Sequence, residues 1–173
     1  DLYNALLAER EGRTVEVRRR GDGRVQTISG TLEAVVDDIA LLDSEGSPVE
    51  MVNVGDPVEL RIRVRTSREI PRLVLGFMIK DRLGQTVFGT NTFHTGQILE
   101  DVDAGSLVTF SIRFVMALGP GAYSVATALV STDTHLVNNY EWRDLALLFT
   151  VTNLDKTLFI GTAWLPPSIG IAR

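Results

Sequence analysis

The sequence predicts an all-β fold of antiparallel strands packed as a two-sheet sandwich, preceded by one short N-terminal helix, and three observations lead to it. From Thr31 onward, short apolar runs recur at near-regular spacing, which is the pattern of a sandwich or barrel. In Val58–Arg65, Val58, Leu60, Ile62 and Val64 alternate strictly with Glu59, Arg61, Arg63 and Arg65, so one face of that strand meets a core and the other meets water. Between the runs, "DSEGSP", "NVGDP", "DRLGQ", "DVDAGS" and "LGPGAY" concentrate the Gly, Pro, Asp and Ser that turns require.

In chain order, "DLYNALLAERE" places Leu2, Tyr3, Leu6 and Leu7 at helical spacing and ends in charges before Gly12, which predicts an amphipathic helix. The next stretch, "TVEVRRRGDGRVQTIS", reads either as a hairpin turning at Gly21-Asp22-Gly23 or as a charged linker. Residues 1–29 are therefore set apart as helix and linker or hairpin, and 30–173 as the sandwich. Strands are predicted in "TLEAVVDDIALLD", "PVEMVNV", "PVELRIRVRT", "PRLVLGFMIKD", "QTVFGTNTF", "LVTFSIRFV", "AYSVATALVST" and "LALLFTVTN", with a last one in "TLFIGTAWL".

"LGPGAYSVATAL" carries more information than a turn alone. Its Gly121, Tyr123 and Val125 have the spacing of the tyrosine corner of immunoglobulin-like sandwiches, in which the phenol bonds the backbone upstream. The fold class thus narrows to an immunoglobulin-like antiparallel β-sandwich. On this reading Tyr123, Val125, Thr127 and Leu129 point inward, and Ser124, Ala126, Ala128 and Val130 line a flat outer face.

The hairpin "LVLGFMIKDRLGQTVFGTNTFH" turns at Arg82-Leu83-Gly84, which sets Ile79 opposite Val87 and Phe77 opposite Gly89. Residues opposite each other in a ladder share a face, so Leu75, Phe77 and Ile79 face the core. The outer face then shows Val74, Gly76 and Met78 beside Phe88, Thr90, Thr92 and His94. Gly76 and Ala126 floor a shallow trough and the hydroxyl-bearing ladder edges it, a surface suited to a carbohydrate. A shift of one residue would turn Asn91 and Phe93 outward instead. At one end of the same face, "STDTHLVNNYEWRD" is read as a loop presenting Tyr140, Trp142 and Arg143. An exposed indole or phenol offers an apolar face to the C–H bonds of a sugar ring, and its polar neighbours bond the hydroxyls; the alternative is that Trp142 plugs the end of the sandwich.

Composition excludes several classes. The 173 residues suffice for one domain with its own core. Cysteine is absent, which removes disulfides, thiolate metal sites and cysteine nucleophiles. The net charge of -5, from 22 acidic and 17 basic residues, contains no basic block beyond Arg18–Arg20, so no nucleic-acid partner is expected. No apolar run is long enough to span a membrane, and no signal peptide opens the chain. It begins at Asp1 and reads as a piece of a longer polypeptide. His94 and His135 lack a third ligand for a metal, "GPGAY" lacks the lysine of a phosphate-binding loop, and no cofactor is expected.

"VNVGDPVELRIRVRTSREIPRLVLGFMIKDRLGQTVFGTNT", with the downstream "GPGAYSVATAL" and the opening "YNALLAERE", resembles the C-terminal carbohydrate-binding domain of the ATP-binding subunit of O-antigen polysaccharide ABC transporters. The similarity runs over roughly residues 31–165, and "LGFMIKDRLGQTVFGTNT" is its most specific part. The resemblance implies an immunoglobulin-like domain that recognises the finished end of a lipid-linked polysaccharide, in the cytoplasm and peripheral to the inner membrane. Its implied partners are the glycan and the nucleotide-binding and membrane subunits of the transporter. No "GxxxxGK[ST]" occurs, so the chain itself is not expected to hydrolyse ATP.

In "TLFIGTAWLPPSIGIAR", Leu158, Ile160 and Trp164 alternate with Phe159, Ala163 and Leu165, so both faces are apolar. Such a strand needs cover on both sides. Bounded by "NLDK" and Pro166-Pro167, residues 157–173 are predicted to exchange between two protomers of a homodimer. Two rival functions remain. A glycosidase would use Glu100, Asp101 and Asp103, or Glu141 and Asp144, as its carboxylates; a structural or protein-binding module would bind no glycan at all. The function expected is non-catalytic carbohydrate binding.

Overall fold

A computed structural model describes residues 14–132 and 139–173. The N-terminal helix expected over "DLYNALLAERE" and His135 lie outside the described residues. Among those described there is no helix, and the chain runs through eleven strands: β1 (Thr14–Arg19), β2 (Val25–Gly30), β3 (Ala34–Leu42), β4 (Met51–Asn53), β5 (Pro57–Thr66), β6 (Ile70–Lys80), β7 (Thr86–Asn91), β8 (Leu99–Val102), β9 (Leu107–Val115), β10 (Gly121–Val130) and β11 (Asn139–Thr152).

They form two sheets. The larger has the order β1-β2-β11-β10-β6-β7, with β4 attached to β11 and β8 to β6; the smaller is β3-β5-β9. All pairings are antiparallel except the short β4 on β11. Leu60, Ile62 and Val64 of β5 and Leu73, Leu75 and Phe77 of β6 meet in one buried core, as alternation along these strands demands. β9 is the free edge of the smaller sheet and β7 an edge of the larger.

Two bonds fix the ends of this arrangement. The buried Tyr123 donates its phenol proton to the Gly119 carbonyl at 2.7 Å, the corner expected from the sequence, and its ring stacks on Phe149 at 5.6 Å. Across the sheets, the buried Glu141 carboxylate accepts the Val36 amide at 3.1 Å and pairs with Arg143 at 2.9 Å. Removing one partner of such a buried pair typically costs about 3–5 kcal/mol.

Of the two readings of Thr14–Ser29 the structure takes the hairpin, closed at Gly23 with φ 81° and joined to the large sheet through β2 on β11. Other expectations need correction. β8 was not predicted, because its four residues follow a polar turn and show little alternation. Residues 157–173 form no strand; Leu118 and Ala163 make an isolated bridge, and Phe159 and Trp164 pack against the chain's own core. The remaining apolar side chains of that segment stand in water, with Ile160 96% and Ile171 87% exposed.

Candidate functional site

The register sets two small residues, Gly76 and Ala128, side by side on the outer face of the large sheet, a candidate trough whose flanking residues differ from those alternation predicts. The Arg82-Leu83-Gly84 turn closes as expected: Asp81 N–H donates to the Gln85 carbonyl at 2.9 Å and Lys80 pairs with Thr86. A bulge then inserts Val87, so that Ile79 faces Phe88, Phe77 faces Thr90 and Gly76 faces Asn91. One extra residue exchanges the two faces of a strand. Phe88 and Thr90 therefore share the inner face with Phe77 and Ile79, and Asn91 takes the outer one.

The outer face can be read row by row from the register. Asn91 of β7, Gly76 of β6, Ala128 of β10, Trp142 of β11 and Ser29 of β2 lie side by side. Strands lie about 4.8 Å apart, so Asn91 and Trp142 stand roughly 14 Å apart with only Gly76 and Ala128 between them. A Cβ built on Gly76 would meet Asn91 Cβ at 3.6 Å and Ala128 Cβ at 3.7 Å, both ordinary contacts. The backbone at Gly76 therefore does not itself require glycine.

Ala126, expected beside Gly76 on the floor, is only 1% exposed. Trp142 starts next to Ala128, and its ring lies 5.9 Å from Lys80 Nζ, on the strand position opposite Ser124. The indole thus extends past Ala126 towards the Lys80 position. Lys80 is in turn paired with Asp144 at 3.2 Å.

The other predicted residues divide into three groups. Tyr140, Trp142 and Arg143 are in strand β11, not in a loop. Tyr140 is 5% exposed and donates to the Arg72 carbonyl at 3.1 Å, so it belongs to the core; burial pushes its phenol above the ordinary tyrosine range. Arg143 pairs across the ladder with Thr127, on the face opposite Trp142, and serves Glu141. Glu141 itself is 1% exposed and bonded to Val36 and Arg143.

Thr92 and His94 belong to a turn rather than to β7. Thr92 caps the strand, its Oγ1 accepting the Leu75 amide at 3.0 Å and its own amide donating to the Leu75 carbonyl at 2.9 Å. His94 is exposed, with its amide on Asn91 Oδ1 at 2.8 Å and its ring edge-on to Phe93 at 5.9 Å. The Arg72 guanidinium lies over the Phe93 ring, 5.8 Å from its centre.

Phe88, Thr90 and Thr92 line a second concavity, a cleft of about 760 Å³ where the sheets part between the β7 and β9 edges. Its walls are largely apolar, including Phe77, Leu99, Phe110, Phe114 and Leu118. The site thus separates into an outer trough holding Gly76 and Trp142 and an inter-sheet cleft holding Phe88, Thr90 and Thr92. Asn91 faces outward as the alternative of a one-residue shift allows, whereas Lys80 and Asp144 were missed as residues of this face, because the irregularity in β11 leaves no mark in the apolar-polar pattern.

Comparison with known proteins bears on this geometry. A family model described as the Wzt C-terminal domain matches residues 25–165. Among solved structures, the crystal structure of the C-terminal domain of wzt superposes with a TM-score of 0.75 at 18% identity, covering 89% of this chain and 91% of that one. A Pseudomonas fluorescens alkylpurine DNA glycosylase AlkC bound to DNA reaches only 0.43, at 11% identity over 69% of this chain and 30% of that one. A mutant Listeria innocua β-glucosidase in complex with laminaribiose reaches 0.38, at 9% identity over 76% and 17%; neither score supports an argument about function. No curated protein sequence matches the chain.

Proposed function

The chain belongs to the Wzt C-terminal domain family, and from that premise we propose that it is a non-catalytic carbohydrate-binding domain that recognises an O-antigen polysaccharide, at its finished terminus, for export by an ABC transporter. The observation that carries the proposal is the row Asn91–Gly76–Ala128–Trp142. Trp142 and Asn91 stand on either side of two positions with almost no side chains, a gap wide enough for one sugar ring. Trp142 would stack on the apolar face of the sugar, and Asn91 would bond its hydroxyls. His94, beside Phe93, sits at the turn that follows Asn91 and would meet a longer chain. The Tyr123 corner supports reading the sandwich as immunoglobulin-like.

The domain would act on the cytoplasmic side of the inner membrane, docked to the nucleotide-binding and membrane subunits. No helix among the described residues is long and apolar enough to cross a membrane. It would work as a homodimer held by residues from about 157 onward. Two complementary features favour this: a C-terminal segment whose Leu158, Ile160, Leu165, Ile169 and Ile171 stand in water, and an apolar cleft between free strand edges. Phe88, Thr90 and Thr92 would then contact the partner's segment at the cleft rim instead of sugar.

The deciding experiment is capture of lipopolysaccharide chains from the strain that encodes the protein, against those of an unrelated serotype. Selective capture that Trp142→Ala weakens is the expected result. Equal capture of both, or none, would favour a structural or protein-binding module.

A further inference from the structure

The outer face contains a charged element that alternation conceals. Between the pairs Thr127–Arg143 and Val125–Leu147, β10 uses one residue, Ala126, where β11 uses three, Asp144, Leu145 and Ala146. An excess of this kind lifts backbone out of the ladder and re-aims a side chain. Leu145 has φ 47°, a left-handed conformation that is unfavourable for a residue with a branched side chain.

The bulge is held from the neighbouring hairpin. Gln26 Nε2 donates to the Asp144 carbonyl at 3.1 Å and to the Leu145 carbonyl at 3.0 Å, and the Arg20 guanidinium donates to the same Leu145 carbonyl. Its product is the placement of the Asp144 carboxylate 3.2 Å from Lys80 Nζ, with that ammonium 5.9 Å from the Trp142 ring. The Lys80 and Asp144 side chains retain 19% and 34% exposure, so both remain partly accessible to solvent beside Trp142. An ion pair this near the surface contributes little by itself, too little to account for a left-handed leucine clasped by two side chains.

We propose that Asp144 and Lys80 are a specificity pair that reads adjacent hydroxyls of the sugar ring lying against Trp142, and that Gln26 and Arg20 are positioning residues acting through the bulge. The inference rests on the glycan-binding reading. Its chemistry is that of a vicinal diol: the carboxylate accepts hydroxyl protons on its oxygens, and the ammonium donates to hydroxyl oxygens. Hydrogen bonds to charged groups are the stronger kind, and with the cation and anion already paired the site brings no net charge to a neutral sugar.

The test titrates the full chain with two probes. One is the polysaccharide fragment released by mild acid from the lipopolysaccharide of the encoding strain. The other is the same fragment after periodate opening of its vicinal diols and borohydride reduction. Wild type should prefer the intact fragment by about ten-fold or more, the range that charged hydrogen bonds supply. Asp144→Asn and Lys80→Met should each reduce that preference to within about three-fold while the thermal midpoint stays unchanged. Gln26→Leu should give part of the same loss in the wild-type background and none on top of Asp144→Asn, which a purely structural role would not do.

A full ten-fold preference retained in both Asp144→Asn and Lys80→Met overturns the pair while leaving glycan binding intact. Absence of binding to either probe by wild type overturns the glycan reading itself, and the pair with it.

Discussion

The trough and the cleft are built from the same hairpin, β6–β7, and differ because they use its opposite faces. Outward, the hairpin shows Gly76 and Asn91; inward, Phe77, Thr90 and Phe88. The trough is narrow, nearly free of side chains on its floor, and edged by an amide, an indole and an ion pair. The cleft is wide and lined by aromatic and aliphatic groups that a closed sandwich would bury. A hydroxyl-rich ligand gains hydrogen bonds in the first and would lose hydration in the second, since burying an unpaired polar group is costly. An apolar polypeptide segment has the reverse preference. On the proposed reading, strand parity gives sugar one side of the sheet and protein the other.

The largest effect should come from breaking the cleft alone. Phe110→Glu places a carboxylate among its apolar walls, and self-association should weaken by at least about 3 kcal/mol, the order of the penalty for burying a charge without a partner. Sedimentation velocity should show a monomer, while titration shows glycan affinity unchanged. A dimer that survives would mean that the cleft is not the acceptor. Next in size, Gly76→Val fills the trough floor without straining a strand that favours β-branched residues. Glycan affinity should fall by about 2 kcal/mol or more, with sedimentation unaffected. Trp142→Ala should remove about 1–2 kcal/mol of glycan affinity, a typical loss for an aromatic contact, again without change in association state.

Much of the fold was legible because it follows from side-chain period and turn chemistry. β5 and β9 stand where the alternation in "PVELRIRVRT" and "LVTFSIRFV" puts them, and Tyr123 reaches its carbonyl as the spacing implied. The site was less legible for a physical reason. A single inserted residue, Val87, carries no composition signal, yet it moves Phe88 and Thr90 to the other face and brings Asn91 out. Tyr140 and Arg143 look like loop residues because their neighbours are polar, whereas a buried carboxylate, Glu141, makes that polar stretch a strand. The C-terminal segment shows the limit in reverse: its two-sided apolarity predicts a strand, yet it forms none, with Phe159 and Trp164 packed on the core and Leu158 and Ile160 exposed.

The smallest effect tests the comparison from outside both grooves. Tyr123→Phe deletes the corner bond to the Gly119 carbonyl but keeps the ring on Phe149. It should lower the stability to denaturant by about 1 kcal/mol, with glycan affinity and association state both intact. Burial raises the folded-state pKa of Tyr123 and of Tyr140 above the ordinary value. The folded protein therefore keeps phenol protons that the unfolded chain releases near pH 10. Stability is full below that pH and is lost as pH rises through the higher folded values. Tyr123→Phe should remove part of this alkaline loss, so the gap between variant and wild type narrows from about pH 8 to about pH 11. A gap that stays constant would mean that Tyr123 ionises as freely in the folded protein as in the unfolded one. In that case the Gly119 corner, which anchors β10 between the two grooves, would be open to water.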